Sequence, residues 1–208
     1  MKIENFWLTQ SNLVQWEKKP SFAYIKKKNN YVDWYPDGKI NIFDNCITKN
    51  IEIGLGKKIA IYCISKNKQI KSYTYEEINQ KVNSFSGILI SQLKNKNISS
   101  CKVMIHASAS LESSISMLSC TKLGIHFSVI FEDLAPEAIS KRISLFKPDI
   151  FFSSFTKKIF EKTIFKKIIF KKKTKFLFFD ELKHSSTNKT VNIKSKVING
   201  NKEMFSLF

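Results

Sequence analysis

Apolar residues in the middle of the chain follow two alternating patterns between positions 102 and 154. Short runs rich in β-branched and aromatic residues predict strands at residues 103–107, 127–131 and 150–153. Between them, apolar residues recur every three or four positions, which predicts two helices with buried faces. These faces comprise Leu111, Ile115 and Leu118 in one helix and Ile139, Ile143 and Phe146 in the next. The alternation of strands and helices favours an α/β fold, with a parallel sheet and helices on its faces.

A hairpin and a long helix are predicted just before this region. Residues 57–65 and 69–73 read as paired strands around a polar turn. Thr74 and Glu77 have the spacing of a capping box, in which the hydroxyl serves the N3 amide and the carboxylate reaches back. Apolar residues then recur on one helical face before a polar stop at residues 94–97. They are Ile78, Val82, Phe85, Leu89 and Leu93.

Both ends of the chain are less regular. Residues 5–18 predict a helix anchored by Phe6, Leu13 and Trp16, and an aromatic-rich segment without a sustained period follows. That segment is either an arm packed on a larger body or a docking surface, and the packed arm is favoured. Residues 175–179 predict one more buried strand, as the next βα repeat requires. We therefore divide the chain into an arm (1–54), an α/β domain (55–180) and a polar, mobile tail (181–208).

The chain is lysine-rich and carries a formal net charge of +18, with Arg142 as its only arginine. A basic surface attracts nucleic acid, anionic membranes or acidic ligands without specificity. The chain is also rich in residues with A/T-rich codons, so genome composition explains much of the lysine excess. Sites that read bases or clamp phosphates favour arginine, and nucleic-acid binding is therefore disfavoured.

Residues 157–173 would form a basic amphipathic helix. Such a helix suits an anionic membrane or a nucleic acid, but a surface helix packed on the sheet is the favoured interpretation. No apolar run approaches the roughly 20 residues of a membrane span, and no signal-peptide pattern is visible, so we expect a cytoplasmic protein.

Side chains that carry chemistry are scattered. The cysteines lack the close pairs of a zinc site, which predicts reduced thiols, at least two of them buried, and no metal; they are Cys46, Cys63, Cys101 and Cys120. A structural or surface role is favoured for each histidine, namely His106, His126 and His184. The paired carboxylates are sequence neighbours, whereas acid–base catalysis needs groups that converge from different elements; the pairs are Glu76 with Glu77 and Glu132 with Asp133. No catalytic residue is assigned.

Several segments together resemble the amino-terminal part of acetyl-CoA and propionyl-CoA synthetases, which are AMP-forming acyl-CoA ligases of the adenylate-forming superfamily. The resemblance covers about residues 3–155. It includes NFW near the start and the arm YPDGKINIFDNCITKNI. The residues that match the family's helix starts and strands are Thr74, Tyr75, Glu76, Glu112, Met117, Leu118, Cys120, Gly124, Ser128, Val129, Phe131, Pro136, Glu137, Ala138, Arg142, Ile143 and Pro148. The resemblance implies the reaction of an acid with ATP and CoA, through an acyl-adenylate, to the thioester, with Mg as a further family cofactor.

Departures from the family pattern change what this chain is expected to do. Members carry a Gly/Ser/Thr-rich loop whose amides cradle the ATP phosphates, and a catalytic lysine in a C-terminal domain. This chain has six glycines and no such cluster. The paired glycine on the family's CoA side is replaced by Glu132 and Asp133, which would repel CoA phosphates. Lys158 and Lys162 are the weak candidates for the family's basic pair at the CoA 3′-phosphate.

The sequence therefore predicts a truncated, synthetase-like protein with an incomplete adenylating domain, inactive alone and without a cofactor of its own. Two alternatives stay open. One is a subunit of a split acyl-CoA ligase, whose partner chain brings the phosphate loop and catalytic lysine; it predicts a large exposed apolar face. The other is a basic binding module that uses the lysine-rich surface.

Overall fold

The computed structural model describes residues 3–28, 31–65, 67–94, 96–163, 174–180 and 192–208. The amino-terminal arm comprises helix α1 (Ile3–Gln10), a 3₁₀ turn (Ser11–Leu13), strands β1 (Tyr24–Lys26), β2 (Val32–Trp34) and β3 (Lys39–Ile40), and π-helical turns at Asp44–Thr48 and Ile51–Leu55. The first half of the α/β part comprises β4 (Ile59–Ile64), β5 (Ile70–Thr74), α2 (Tyr75–Gln92), a 3₁₀ turn (Ile98–Ser100), β6 (Lys102–His106) and α3 (Leu111–Leu123). The second half comprises β7 (His126–Ile130), α4 (Pro136–Phe146), β8 (Ile150–Ser153), α5 (Lys157–Thr163), β9 (Lys175–Phe178), β10 (Ile198–Asn199) and β11 (Phe205–Ser206).

A five-stranded parallel sheet is the centre of the fold, with the strand order β11-β7-β6-β8-β9. Its side chains alternate between two apolar layers, as the pleat of a strand requires. Val103 and Ile105 face the layer that contains α2 and α3, whereas Met104 faces the layer of α4 and α5. The prediction of an α/β fold with helices on the faces of a parallel sheet is confirmed.

The hairpin and the long helix form as predicted. β4 pairs with β5 in antiparallel orientation. Thr74 caps α2: its hydroxyl accepts a hydrogen bond from the Glu77 amide at 3.2 Å, and the Glu77 carboxylate accepts from the Thr74 amide at 2.7 Å. The predicted apolar face of this helix is buried along its whole length, from Ile78 to Leu93.

The helix α3 differs from its predicted burial. Of the three expected anchors only Ile115 is fully buried, and small polar residues fill much of the buried surface instead, including Ser116 and Ser119. The Ser119 hydroxyl donates to the Val82 carbonyl of α2 at 3.2 Å. Small side chains allow the two helices to approach closely, so α3 is buried on more than one side.

The first helix is shorter than predicted. It ends at Gln10, where the 3₁₀ turn begins, and the chain is extended from Val14. The predicted anchors Phe6 and Leu13 are 44% and 75% exposed, so neither is buried. Trp16 does hold this turn, since its indole Nε1 donates to the Ser11 carbonyl at 2.9 Å.

The carboxy-terminal segment also differs from the expected mobile tail where it is described. β10 pairs with β3 of the arm, and β11 adds a parallel strand beside β7. Ile198 and Met204 are buried. β11 covers the edge of the five-stranded sheet at β7, whereas β10 and β3 form a separate two-stranded sheet; polar composition alone reveals neither pairing. Residues 181–191 lie outside the described residues, as does the part of the predicted basic helix from 164 to 173.

The side chain of Asn41 joins three separate parts of the chain. Its amide donates to the carbonyls of Thr121 and Lys122 at the end of α3, each at 3.1 Å, and of Lys196 at 2.8 Å. Its oxygen accepts from the Asp44 amide at 3.2 Å. Asn41 is buried, so these contacts fix the arm against the α/β part.

Candidate functional site

The order of the strands defines where a ligand site is expected. β7 follows β6 on one side, and the chain then crosses over to place β8 on the other side of β6. In open α/β sheets, ligands bind outside the carboxyl ends of the strands at such a switch point. The candidate site is therefore the edge at the ends of β6, β7 and β8, which we call the carboxyl edge.

His106 ends β6 at the switch point and is fully buried. Its Nδ1 shares a hydrogen bond of 2.9 Å with the hydroxyl of Ser153, the last residue of β8, and that hydroxyl also accepts from the Phe155 amide at 3.2 Å. The Phe155 ring packs edge-on against the imidazole. Nε2 has no hydrogen-bond partner among the described residues.

The charge of His106 follows from this burial. Loss of hydration lowers its pKa from 6.5 to about 4, and the nearby Glu132 carboxylate and backbone oppose the shift. The imidazole is therefore neutral at pH 7. It supplies no positive charge that could attract a phosphate group.

Glu132, just beyond the end of β7, contributes negative charge to the carboxyl edge. Its half-buried carboxylate accepts a hydrogen bond from the Ser154 hydroxyl at 2.9 Å, and the Ser154 amide donates to the His106 carbonyl at 2.9 Å. These bonds connect the ends of all three strands. An anionic ligand at this edge would meet a fixed carboxylate.

An open cleft of about 870 Å³ lies beside this edge, between the β4–β5 hairpin and the start of α3. Ser110 caps α3, with its hydroxyl accepting from the Ser113 amide at 3.1 Å. Lys71 brings a cation to the cleft, whereas Glu112 and Glu132 bring carboxylates. The lining combines apolar side chains with this cation and these two carboxylates, so it does not suit selective binding of a highly charged phosphate.

The predicted CoA-edge candidates Lys158 and Lys162 lie on α5, and both side chains are exposed. Within the part of the chain that the structure describes, no hydrogen bond or ion pair joins either lysine to Glu132. The residues at the carboxyl edge do not fit the family's phosphate-bearing cofactors, because they combine a neutral histidine with a carboxylate and lack a glycine-rich cradle. We therefore derive no catalytic step through ATP or CoA for this chain.

The remaining candidate side chains have structural positions. Cys101 and Cys120 are buried, which confirms the prediction that at least two of the cysteines are buried. His126 is partly buried, and its Nε2 shares a hydrogen bond of 2.8 Å with the Ser206 hydroxyl. His184 lies outside the described residues. Across the described ranges, no group of three or more His, Cys, Asp or Glu residues could hold a metal ion.

The pairing of His106 with Ser153 was missed from the sequence, although a signal existed. His106 is the penultimate residue of one predicted strand and Ser153 is the last residue of another, and parallel strands place their carboxyl ends at the same edge. The strand order needed to make them neighbours follows from the crossover at β6, which the sequence pattern does not specify.

No described helix is long and apolar enough to cross a membrane.

Comparison with known families gives two adjacent matches. The family described as "Acetyl-coenzyme A synthetase N-terminus" matches residues 2–46, and the family described as "AMP-binding enzyme" matches residues 54–201. The first covers the arm and the second covers the α/β part with its carboxyl edge.

Individual relatives agree with these matches. The chain is 31% identical over 156 residues to "Acetyl-coenzyme A synthetase" of Leptospira biflexa, covering 72% of this chain and 23% of the relative. It is 28% identical over 148 residues to "Acyl-CoA synthetase short-chain family member 3, mitochondrial" of Pongo abelii, covering 71% of this chain and 21% of the relative.

A solved structure supports the same fold. An acyl-CoA synthetase from Brucella canis superposes with a TM-score of 0.60 at 14% sequence identity, over 79% of this chain and 30% of that chain. The chain therefore spans between a fifth and a quarter of the length of the two curated relatives, and less than a third of the solved structure. The chain belongs to the AMP-binding enzyme family and carries the acetyl-CoA synthetase amino-terminal region ahead of it.

Proposed function

We propose that this chain represents the amino-terminal part of an AMP-forming acetyl-CoA or propionyl-CoA synthetase and has no ligase activity by itself. The family reaction joins an acid to CoA through an acyl-adenylate. The observation that carries the proposal is the order of the two family matches along one chain, the arm first and the α/β part second.

The carboxyl edge supports the proposed lack of activity. Adenylyl transfer requires donors and cations aimed at the charge that develops on the phosphate. This edge instead offers a neutral His106 and the Glu132 carboxylate. We propose accordingly that the chain alone binds neither ATP nor CoA, and that Lys158 and Lys162 give at most a weak contact to a CoA phosphate.

A second candidate function is a subunit of a split ligase, and a specific observation favours it. The β4–β5 hairpin carries large apolar side chains that face solvent, among them Tyr62, Ile64 and Ile70. A partner chain that carries the rest of the ligase would cover them. A third candidate, a basic binding module, is supported by the net charge of +18, and it predicts steeply salt-dependent binding to anions.

A cytoplasmic location is also part of the proposal, because the four widely spaced cysteines are predicted to be reduced thiols, which suit a reducing compartment. The arm (1–54) and the α/β domain (55–180) are proposed as two units of one body. Asn41 supports that view, since its contacts cross the boundary between them.

The test is an ATP–pyrophosphate exchange assay with acetate and with propionate on the purified chain alone. We expect exchange equal to that of a blank without protein. The full-length Leptospira biflexa enzyme, assayed under the same conditions, serves as the positive control. Exchange above the blank that scales with the concentration of this chain would overturn the proposal, because it would require adenylation chemistry within these residues.

A further inference from the structure

The outward face of the β4–β5 hairpin is apolar although it faces water. In the antiparallel register Tyr62 lies opposite Ser72, and Ile64 lies opposite Ile70. Residues directly opposite each other share a face, and so do residues two apart along a strand. Tyr62, Ile64 and Ile70 are 64%, 70% and 64% exposed, so they form one exposed patch, which we call the hairpin patch together with Ser72.

The opposite face of the hairpin is occupied in part. Ile61 and Tyr73, which are also paired across the strands, pack against the apolar layer around α2. The hairpin is thus held to the domain by one face only. Its sheet contains two strands, so among the described residues the outer edge of each strand is unpaired.

A two-stranded sheet with one bare apolar face and two open edges is an incomplete structure. Isolated two-stranded hairpins are marginally stable in water, and open edges are templates for further strands. Contiguous exposed apolar patches mark interaction sites in soluble proteins. The hairpin patch therefore has the features of a surface that another part of a protein covers.

The length of the relatives indicates what covers this patch. The chain accounts for 23% of the Leptospira biflexa synthetase and 30% of the Brucella canis structure, whose fold it shares. Most of the polypeptide that accompanies this unit in those proteins has no counterpart among the residues of this chain. A second copy of the chain is a poorer occupant, because two molecules that each carry a formal charge of +18 repel each other.

We propose that the hairpin patch, Tyr62, Ile64, Ile70 and Ser72, is the docking surface for a polypeptide that carries the remaining, carboxy-terminal part of an AMP-forming acyl-CoA ligase. This inference rests on the proposed function and deepens it. The partner covers the patch with apolar side chains and pairs with an open edge of β4 or β5.

The experiment measures binding between this chain and a defined probe. The probe is the Leptospira biflexa synthetase without the section that aligns with this chain, and that section, expressed separately, is the positive control. Binding is measured by isothermal titration, and the oligomeric state of each component by light scattering. We expect a one-to-one complex with this chain, as with the positive control.

Two double variants test the location of the interface. Ile64→Asp with Ile70→Asp places two carboxylates in the hairpin patch, and we expect affinity to fall at least tenfold. Leu13→Asp with Leu207→Asp makes the same chemical change at positions that are 75% and 79% exposed elsewhere, and we expect affinity within twofold of the wild type. All four side chains are exposed, so we expect both double variants to fold like the wild type. Unchanged circular dichroism spectra and melting temperatures would show that they do.

Three outcomes of the binding experiment would overturn the proposal. Binding by the positive control but not by this chain would do so, and so would equal losses in both double variants. A homodimer that dissociates only in the Ile64→Asp, Ile70→Asp variant would assign the patch to a second copy instead. Pyrophosphate exchange by the chain alone would refute the proposed function and leave the binding result to be judged separately.

Discussion

Acidification should destabilise this protein through the buried imidazole of His106. Burial lowers the pKa of His106 from 6.5 to about 4, so the unfolded chain binds a proton that the folded chain excludes over this range. The contribution of the neutral imidazole is complete above pH 6.5. It is lost progressively as the pH falls from 6.5 to about 4.

The size of the effect follows from that shift. One pKa unit corresponds to about 1.4 kcal/mol, which sets an upper limit of about 3 kcal/mol below pH 4. Between pH 7.5 and pH 5.0 the same shift predicts a loss of about 2 kcal/mol in the free energy of unfolding. The carboxylates of Asp37 and Glu77 do not titrate between pH 7.5 and pH 5.0 and so do not add to this loss, because hydrogen bonds from backbone amides hold their pKa values below the usual range.

The assay is urea unfolding followed by far-ultraviolet circular dichroism at half-unit steps between pH 5.0 and 7.5. The comparison variant His106→Asn keeps a polar partner for Ser153 but does not titrate. It should be less stable than the wild type at pH 7.5, since asparagine is smaller than histidine. Between pH 7.5 and pH 5.0 its free energy of unfolding should fall by about 2 kcal/mol less than that of the wild type. His126→Asn is the control: burial also lowers the pKa of His126, but that residue is only partly buried, so a smaller change in slope is expected.

Parallel profiles for the wild type and His106→Asn would refute the reasoning. They would mean that His106 has the same proton affinity in the folded and unfolded states. The buried position of the imidazole at the carboxyl edge would then be incorrect. If the pH dependence of stability fell more in His126→Asn than in His106→Asn, then His126 would be the main titrating group instead of His106.

Three further changes test the packing that positions the candidate site, each by the same urea assay at pH 7.5. Asn41→Ala removes a buried amide that serves three carbonyls and should cost about 2–4 kcal/mol, whereas a loss under 1 kcal/mol would show that solvent replaces these bonds. Gly124→Ala should cost about 1–2 kcal/mol, since Gly124 has a φ of +65° and a Cβ there would lie 2.9 Å from Ile198 Cγ2; unchanged stability would contradict that geometry. Thr74→Ala removes the cap of α2 and should cost about 1 kcal/mol, with Thr74→Ser retaining most of the stability; equal losses in both would argue against the cap.

Local patterns specified the helices and strands of this protein well. The capping box at Thr74 and the apolar face from Ile78 to Leu93 depend on short-range spacing, and both are found as expected. Patterns that depend on distant partners were predicted less well. Leu111 and Leu118 are only partly buried, because the close contact of α3 with α2 uses serines that periodicity does not identify as core.

The candidate site could be predicted only in part, for a similar reason. The family resemblance predicted that Glu132 stands where members have glycine, and the structure places its carboxylate at the carboxyl edge beside Ser154. The contact between His106 and Ser153 was not visible, since the two residues are 47 positions apart and meet only through the strand order. Lys158 and Lys162 were candidates only through the family resemblance, and the structure leaves both exposed.

The fold class could be predicted from the hydrophobic period and the capping residues, and the family from segments that resemble its members, because all of these are local properties of the chain. The tertiary structure alone decided which residues meet at the carboxyl edge, that the carboxy-terminal residues 192–208 join two sheets, and that the hairpin patch is bare. These features depend on which strands become neighbours and which faces find a partner. Strand order and the covering of faces arise from packing over long sequence distances, which a one-dimensional pattern does not encode.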